Sequence, residues 1–411
     1  MAGNEEPLRP SPLALEWVER LIAFDTTSRV SNLALIEFVA KFLRDENWHV
    51  SLTWNHDGRK ANLFATLPAL NGTLQGGLVL SGHTDVVPVD GQDWTTDPFA
   101  PQVRNDRLYG RGACDMKGFL GVAISLAPRW AKLGLPHPVH LALSFDEEVG
   151  CLGAPILIED LARRGVKPDY CIVGEPTNMQ PVIAHKGIRI LRCSVRGRPS
   201  HSSRPHDGVN AIEYASRILN HLTEIARTAK EEGPFDEGFD PPYTSLVVSE
   251  ISGGTAPNVV AEHCVFTFEY RALPSEDPLR IEREVRRFIH EVINPAMQHG
   301  SPELGAKLEV VADVPGFDAG ANNSQILKRV TDLTTGNHCK VSYGTEAGQF
   351  QATGIQTIVC GPGSIEQAHR ADEWVALTDL AYCEEFLVKI AETAVLARRP
   401  MAPSRKPSGK A

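Results

Sequence analysis

The sequence predicts an α/β protein. A mixed, mostly parallel sheet with helices on both faces forms one domain, and a smaller α+β domain of the split βαβ type is inserted into it. Three observations carry this. The apolar runs GGLVLSGH (76–83), VHLALSF (139–145) and DYCIVGE (169–175) lack polar alternation, as strands covered on both faces do. They alternate with helical stretches until about residue 186, where strands with one polar face and long amphipathic helices take over. A chain of 411 residues also exceeds the usual size of one hydrophobic core.

Taken in order, residues 13–47 read as two helices, the second (LALIEFVAKFLRDEN) with apolar residues at helical spacing. HVSLTW (49–54), NLFATLP (62–68) and 76–83 follow as strands. MKGFLGVAISLAPRWA (116–131) is helical, 139–145 a strand, 154–164 a helix and 169–175 a strand. Such alternation builds a parallel sheet. Beyond 186, IRILRCSVRG is a strand and VNAIEYASRILNHLTEIA a helix. TSLVVSEISGG and EHCVFTFEYRALP are strands joined across a Gly/Pro/Asn turn, DPLRIEREVRRFIHEVI is a helix and KLEVVADV a strand. That order is the split βαβ sandwich. From about 315 the α/β pattern returns with GNHCKVSYG, TIVCGPG (357–363) and a final helix over 378–397. The expected organisation is a discontinuous catalytic domain (1–185 and 315–397), an inserted domain (186–314) and a disordered basic tail (398–411).

Composition narrows the partners. With 51 acids against 41 Lys+Arg the net charge is −10, which argues against nucleic acid or an anionic membrane. No apolar run approaches a membrane span, and MAGNEEPLRPSPL lacks the layout of a secretory signal, so a cytoplasmic location is expected. The 8 cysteines form no CxxC pair and are expected to be reduced, mostly buried thiols.

Five segments carry chemistry. In GHTDVVPVD, His83 and Asp85 lie two apart at a strand end, so both side chains point the same way. Open α/β sheets build their sites at such ends. Asp115 follows the glycine-rich loop of LYGRGACDMKG and precedes a helix, where a capping role is the plain alternative. Glu147 and Glu148 adjoin at the end of LSF, Glu175 ends IVGE ahead of Pro176, and His369 lies in GPGSIEQAHRADE. Each residue alone has a structural explanation: a surface turn, a cap, a solvated strand end. Together they deliver acids and histidines to one sheet edge. Histidine and carboxylate without cysteine is the ligand set of a catalytic zinc site. Two cations about 3.5–4 Å apart need a bridging carboxylate and terminal ligands on either side. With Glu147 reserved as a base, His83, Asp115, Glu148, Glu175 and His369 fill that set.

The pieces SGHTDVVPVDGQDWTTDPF, LYGRGACDMKG, DEEVGCLGA, GEPTNMQPVIAHKG, GRPSHSSRPHDGVNAI, TEAGQF and GPGSIEQAHRADEW, running from about 15 to 397, resemble the dinuclear zinc aminoacylase/carboxypeptidase-type metallohydrolases, and within them a bacterial deacetylase branch. The resemblance implies Asp115 as the bridge, His83 and Glu175 on one metal, and Glu148 and His369 on the other. The metals would be Zn²⁺, with Co²⁺ or Mn²⁺ as alternatives. It implies that Asp85 holds the His83 ring by its other nitrogen and that Glu147 is the general base for a water bridging the metals. His201 would reach across a dimer interface to the oxyanion. Asn258, Arg271, Glu346, Gly363 and Ser364 would bind substrate, Arg271 gripping a carboxylate and Glu346 a cationic side chain. A surface loop and a strand-end charge are the plain alternatives for His201 and Arg271. His185 and Lys186 fall at the domain junction as hinge candidates. The implied activity is removal of an acyl group, acetyl above all, from the α-nitrogen of an amino acid by a homodimer joined through the inserted domain. Desuccinylation or dipeptide hydrolysis on the same site is the alternative. A scaffold that had given up catalysis would lack a ligand or the base, and neither is missing.

Overall fold

The computed structural model describes residues 8–298, 301–320, 324–334 and 336–392. The basic tail expected at 398–411 lies outside them, as do residues 393–397 of the last expected helix. Up to residue 181 the chain forms α1 (Pro12–Ile22), α2 (Leu33–Asp45), β1 (His49–Trp54), β2 (Ala61–Leu67), β3 (Leu78–His83), β4 (Gln102–Arg104), β5 (Arg107–Tyr109), α3 (Lys117–Ser125), α4 (Ala127–Leu133), β6 (Val139–Ser144), α5 (Gly153–Arg163) and β7 (Tyr170–Val173). There follow β8 (Val182–His185), β9 (Gly187–Arg196), α6 (Ala211–Glu232), β10 (Ser245–Gly253), β11 (His263–Ala272), α7 (Arg280–Phe288), α8 (Asn294–Gln298), β12 (Gly305–Val314) and β13 (Phe317–Asp318). The last stretch contains α9 (Ser324–Leu333), β14 (Cys339–Val341), α10 (Ala347–Ala352), β15 (Gln356–Val359), β16 (Trp374–Ala376) and α11 (Leu377–Ala391).

Two compact units result. The first comprises residues up to Pro181, Ala319–His338 and the chain from Gln349 onward. Its sheet runs β1-β2-β6-β3-β7-β15, with β6, β3, β7 and β15 parallel and the β1–β2 hairpin antiparallel at one side. Every residue of β2, β3, β6 and β7 is buried, so helices and loops cover both faces, as the unalternating apolar runs require. Four parallel strands put four C-terminal ends on one edge. His83 ends β3, Glu147 and Glu148 follow β6, Glu175 follows β7, and the His369 segment follows β15. A small antiparallel sheet, β16-β5-β4, then sets the chain just after His369 beside the chain just before Asp115.

The second unit is Val182–Asp318 with Cys339–Gly348. Within it β8 pairs with β13 antiparallel and with β14 parallel. Its main sheet, in the order β10-β11-β9-β12, is antiparallel throughout. Alternate residues Leu191, Cys193 and Val195 of β9 face a core shared with Ile218 and Leu222 of α6 and Val285 of α7. The helix expected over 277–293 begins at Arg280 and passes Phe288 through a π-turn, Ile289–Ile293, into α8. None of the 8 cysteines is in a disulfide, and among them only Cys339 is not buried. No described helix is long and apolar enough to cross a membrane.

Candidate metal centre

Asp115 lies at the middle of the sheet edge. Its Oδ1 is 3.0 Å from His83 Nε2, and its Oδ2 is 3.3 Å from His369 Nε2. Glu175 Oε1 comes to 3.9 Å from the same His83 nitrogen, and Glu148 Oε2 to 3.0 Å from His369 Nε2. Two groups able to hold a cation follow, His83–Asp115–Glu175 and Asp115–Glu148–His369, with Asp115 common to both. The first is buried throughout. In the second, the His369 side chain is 51% exposed.

The ring of His83 is oriented by a main-chain group. Nδ1 lies 2.8 Å from the Asp85 carbonyl oxygen, which can only accept, so Nδ1 carries a hydrogen and Nε2 is the ring atom that faces Asp115 and Glu175. This differs from the carboxylate contact that the resemblance implies: Asp85 Oδ1 is 3.7 Å from Nδ1. The Asp85 carboxylate is occupied elsewhere. It accepts the backbone N–H groups of Glu147 at 3.1 Å and Glu148 at 3.3 Å, and the Ser28 hydroxyl at 2.7 Å. Asp85 therefore serves both edges of the cleft, His83 through its carbonyl and the Glu147–Glu148 turn through its carboxylate. That turn is held further by the Lys60–Asp146 ion pair, by Gln349 Nε2 donating to the Cys151 carbonyl at 3.1 Å, and by the Cys151 thiol donating to Glu147 Oε1 at 3.1 Å.

The donor set carries more negative charge than its two histidines can balance. Burial, then the charges of Glu148, Asp115 and Asp85, push the Glu147 carboxyl up to about 8 against the pull of His83. Burial and Asp115 push Glu148 up to about 7, and burial with Asp115 and Glu147 raises Glu175 well above the carboxylate range. Burial opposes charge on His83, but the hydrogen bond to Asp115 and the charge of Glu175 prevail and raise its pKa well above normal. His369 rises to about 10 through its bonds to Asp115 and Glu148. Burial also opposes ionisation of Asp115, yet the bonds from His369 and His83 hold it far below the usual value. Glu175 Oε1 is buried with no hydrogen-bond partner. Carboxylates whose proton affinity burial and mutual repulsion raise, with an orphaned oxygen beside His83 Nε2, fit divalent cations.

The other candidates distribute as follows. Gly363 is at φ +79°, and a Cβ there would meet Cys114 Sγ at 2.6 Å, so only glycine suits the position. The Ser364 hydroxyl caps the following turn at Glu366 N–H, and its carbonyl accepts from the Cys114 thiol. His201, Asn258, Arg271 and Glu346 belong to the second unit. His201 is exposed, with Nδ1 accepting the Ser203 N–H at 3.1 Å, and Asn258 is exposed. Arg271 pairs with Glu269 at 3.1 Å and donates Nη1 to the Ser342 carbonyl at 3.2 Å, and Glu346 is buried. His185 and Lys186 are buried at the end of β8. Lys186 Nζ donates to the carbonyls of Pro241 and Tyr243, a stitch between segments of the second unit. Sequence reasoning missed Glu373, Arg111 and Gln92, which surround the Asp115 loop. No periodicity marks them, and the available signal was that each falls inside a quoted motif: Gln92 in SGHTDVVPVDGQDWTTDPF, Arg111 in LYGRGACDMKG and Glu373 in GPGSIEQAHRADEW.

A parallel sheet edge bearing two groups able to hold a cation that share a carboxylate, next to an acid outside both, Glu147, is the site of a metal-dependent hydrolase. The chain belongs to Peptidase family M20/M25/M40, whose model matches residues 79–393. It is 35% identical over 381 residues to acetylornithine deacetylase of Myxococcus xanthus, covering 92% of this chain and 96% of that one. Its structure resembles a Staphylococcus aureus tripeptidase with a TM-score of 0.71 at 19% identity, over 95% of this chain and all of the other. It also resembles a dinuclear metal-binding M20 peptidase of Bacillus subtilis, with a TM-score of 0.59 at 14% identity, over 93% and 99% of the two chains.

Because the hydrogen bonds and charges around the ligands His83, Glu175 and His369 raise their affinity for protons, a cation must compete with protons to bind. Affinity for Zn²⁺ should therefore rise with pH between 6 and 8. Calorimetric titration at pH 7 in buffers of different ionisation enthalpy should show net proton release, and buffer-independent heats would contradict the protonated cluster.

Proposed function

We propose that this protein hydrolyses the amide of N2-acetyl-L-ornithine to L-ornithine and acetate, a step of arginine biosynthesis in the cytoplasm. Asp115, presenting one oxygen to each histidine beside the uncommitted acid Glu147, is the observation that carries the reaction type. Likeness to a deacetylase of that name over nine-tenths of the chain supports the substrate. Two divalent cations held by His83, Asp115, Glu175, Glu148 and His369, zinc or in its place cobalt or manganese, would supply polarisation of the amide carbonyl and a water acidified toward neutrality.

The chain's own residues do the rest. Glu147 takes the proton of the attacking water as the C–O bond forms, then gives it to the leaving nitrogen as the C–N bond breaks. Asp85 fixes the main chain of Glu147, so the carboxylate acts from a set position. We assign the developing oxyanion to His201, the substrate carboxylate to Arg271 and Asn258, and the side-chain ammonium to Glu346. Gly363 and Ser364 would offer backbone N–H groups to the substrate. Arg271 is suited to its part because Glu269 and the Ser342 carbonyl already orient its guanidinium.

The second unit also supports a homodimer. β10 is an edge strand of its sheet, yet Val247 is 55% and Ile251 58% exposed, where edge strands normally carry charge. A second copy pairing along β10 would cover them. A broader N-acyl-amino-acid deacylase, desuccinylase or dipeptidase is the alternative reading, supported by the tripeptidase likeness.

Three measurements test this. N-acetylornithine should exceed N-acetylmethionine and N-succinyldiaminopimelate in kcat/KM by at least tenfold, and a reversal would favour the alternative. Glu147→Gln should lower kcat by about 10²–10⁴-fold while metal content stays unchanged; full activity with two metals bound would remove Glu147 from its role. Light scattering should give a dimer for the native chain and a monomer for Ile251→Lys, whereas a native monomer would refute the β10 interface.

A further inference from the structure

Glu373 lies four residues beyond His369 and is 1% exposed. Its Oε1 accepts the backbone N–H groups of Cys114 at 2.8 Å and Asp115 at 3.0 Å. Its Oε2 accepts that of Gly112 at 3.0 Å and Arg111 Nη1 at 2.7 Å, and its own carbonyl accepts Gly110 N–H at 2.9 Å. One side chain thus grips the backbone of the loop that carries Asp115.

The grip extends to the loop that carries His369. Arg111 donates to the Arg370 carbonyl at 3.3 Å and to Gln92 Oε1 at 2.5 Å, and Gln92 Nε2 donates to the His369 carbonyl at 2.9 Å. Thr95 donates both its N–H and its hydroxyl to Asp372 Oδ1 at 3.0 Å. His369 and Asp372 are at φ +63° and +53°, left-handed conformations that residues other than glycine keep only when their surroundings hold them. The two cation sites differ in what supports them. His83 ends β3 and Glu175 is buried just past β7, whereas Glu148 lies farther past β6 and His369 sits half exposed on the loop after β15.

We propose that Glu373, acting through Arg111 and Gln92, is the positioning residue that shapes the Asp115–Glu148–His369 site before a cation arrives. The inference rests on the two-cation reading above. Groups that orient ligands without touching the metal commonly change its affinity by 10–100-fold. Asp115 serves both groups, but His369 is also tied to Glu373 through Arg111 and Gln92, so the loss should fall mainly on the Asp115–Glu148–His369 site, the loop-borne one.

The test is calorimetric titration of the metal-free full chain with Zn²⁺, in which the native protein shows two binding steps and His369→Ala identifies the step belonging to the loop-borne site. Glu373→Gln should weaken that step at least tenfold and leave the other within threefold; Gln92→Ala should weaken the same step about threefold or more. A folded Glu373→Gln variant, checked by circular dichroism and melting, with both steps unchanged or both weakened alike overturns the proposal. Should Glu373→Gln fail to fold, Gln92→Ala decides, and an unaltered loop-borne step overturns it. A native protein that binds one cation instead overturns the two-cation reading, and this inference with it.

Discussion

The structure turns on a single electrostatic demand, that one carboxylate, Asp115, face two histidines at once while three further glutamates stand around it. Like charges so placed repel strongly in a low dielectric, and a cluster of this kind persists only if protons or cations neutralise it. The parallel strands satisfy the geometric half of the demand, because their C-terminal ends converge on one edge. Charge compensation is the half that the fold leaves to ligands.

Holding Asp115 in place requires buried polarity of its own. The Arg111–Glu373 pair, each 1% exposed, would be costly if either partner were lost, on the order of 3–5 kcal/mol. Its expense is offset because Glu373 also satisfies three backbone N–H groups of a loop that has no regular structure. Asp85 does the same service on the opposite side, where its carboxylate accepts two N–H groups of the Glu147–Glu148 turn. Acids that are not ligands therefore frame the acids that are. The negative charge of the cleft is partly structural and partly chemical.

Much of the fold was legible in the residues. The strands at 76–83, 139–145 and 169–175 stood out because burial on both faces leaves no polar position in them. Elements of the insert such as β11 and α6 stood out because one face of each is buried and the other wet. The three-residue strands β4, β5 and β16 were not legible, since strands so short show no period and exist only through their partners.

The sequence by itself determined the ligand types and the strand ends that bear them, because hydrophobic patterning and residue chemistry are local properties. His83, Asp115, Glu148, Glu175 and His369 could be named that way. Tertiary structure alone decided that Asp85 reaches the His83 ring by its carbonyl and the Glu147 turn by its carboxylate, and that Glu373 grips a loop 258 residues earlier. Hydrogen bonds across such separations follow from how the chain closes in space, and no spacing along the chain encodes them.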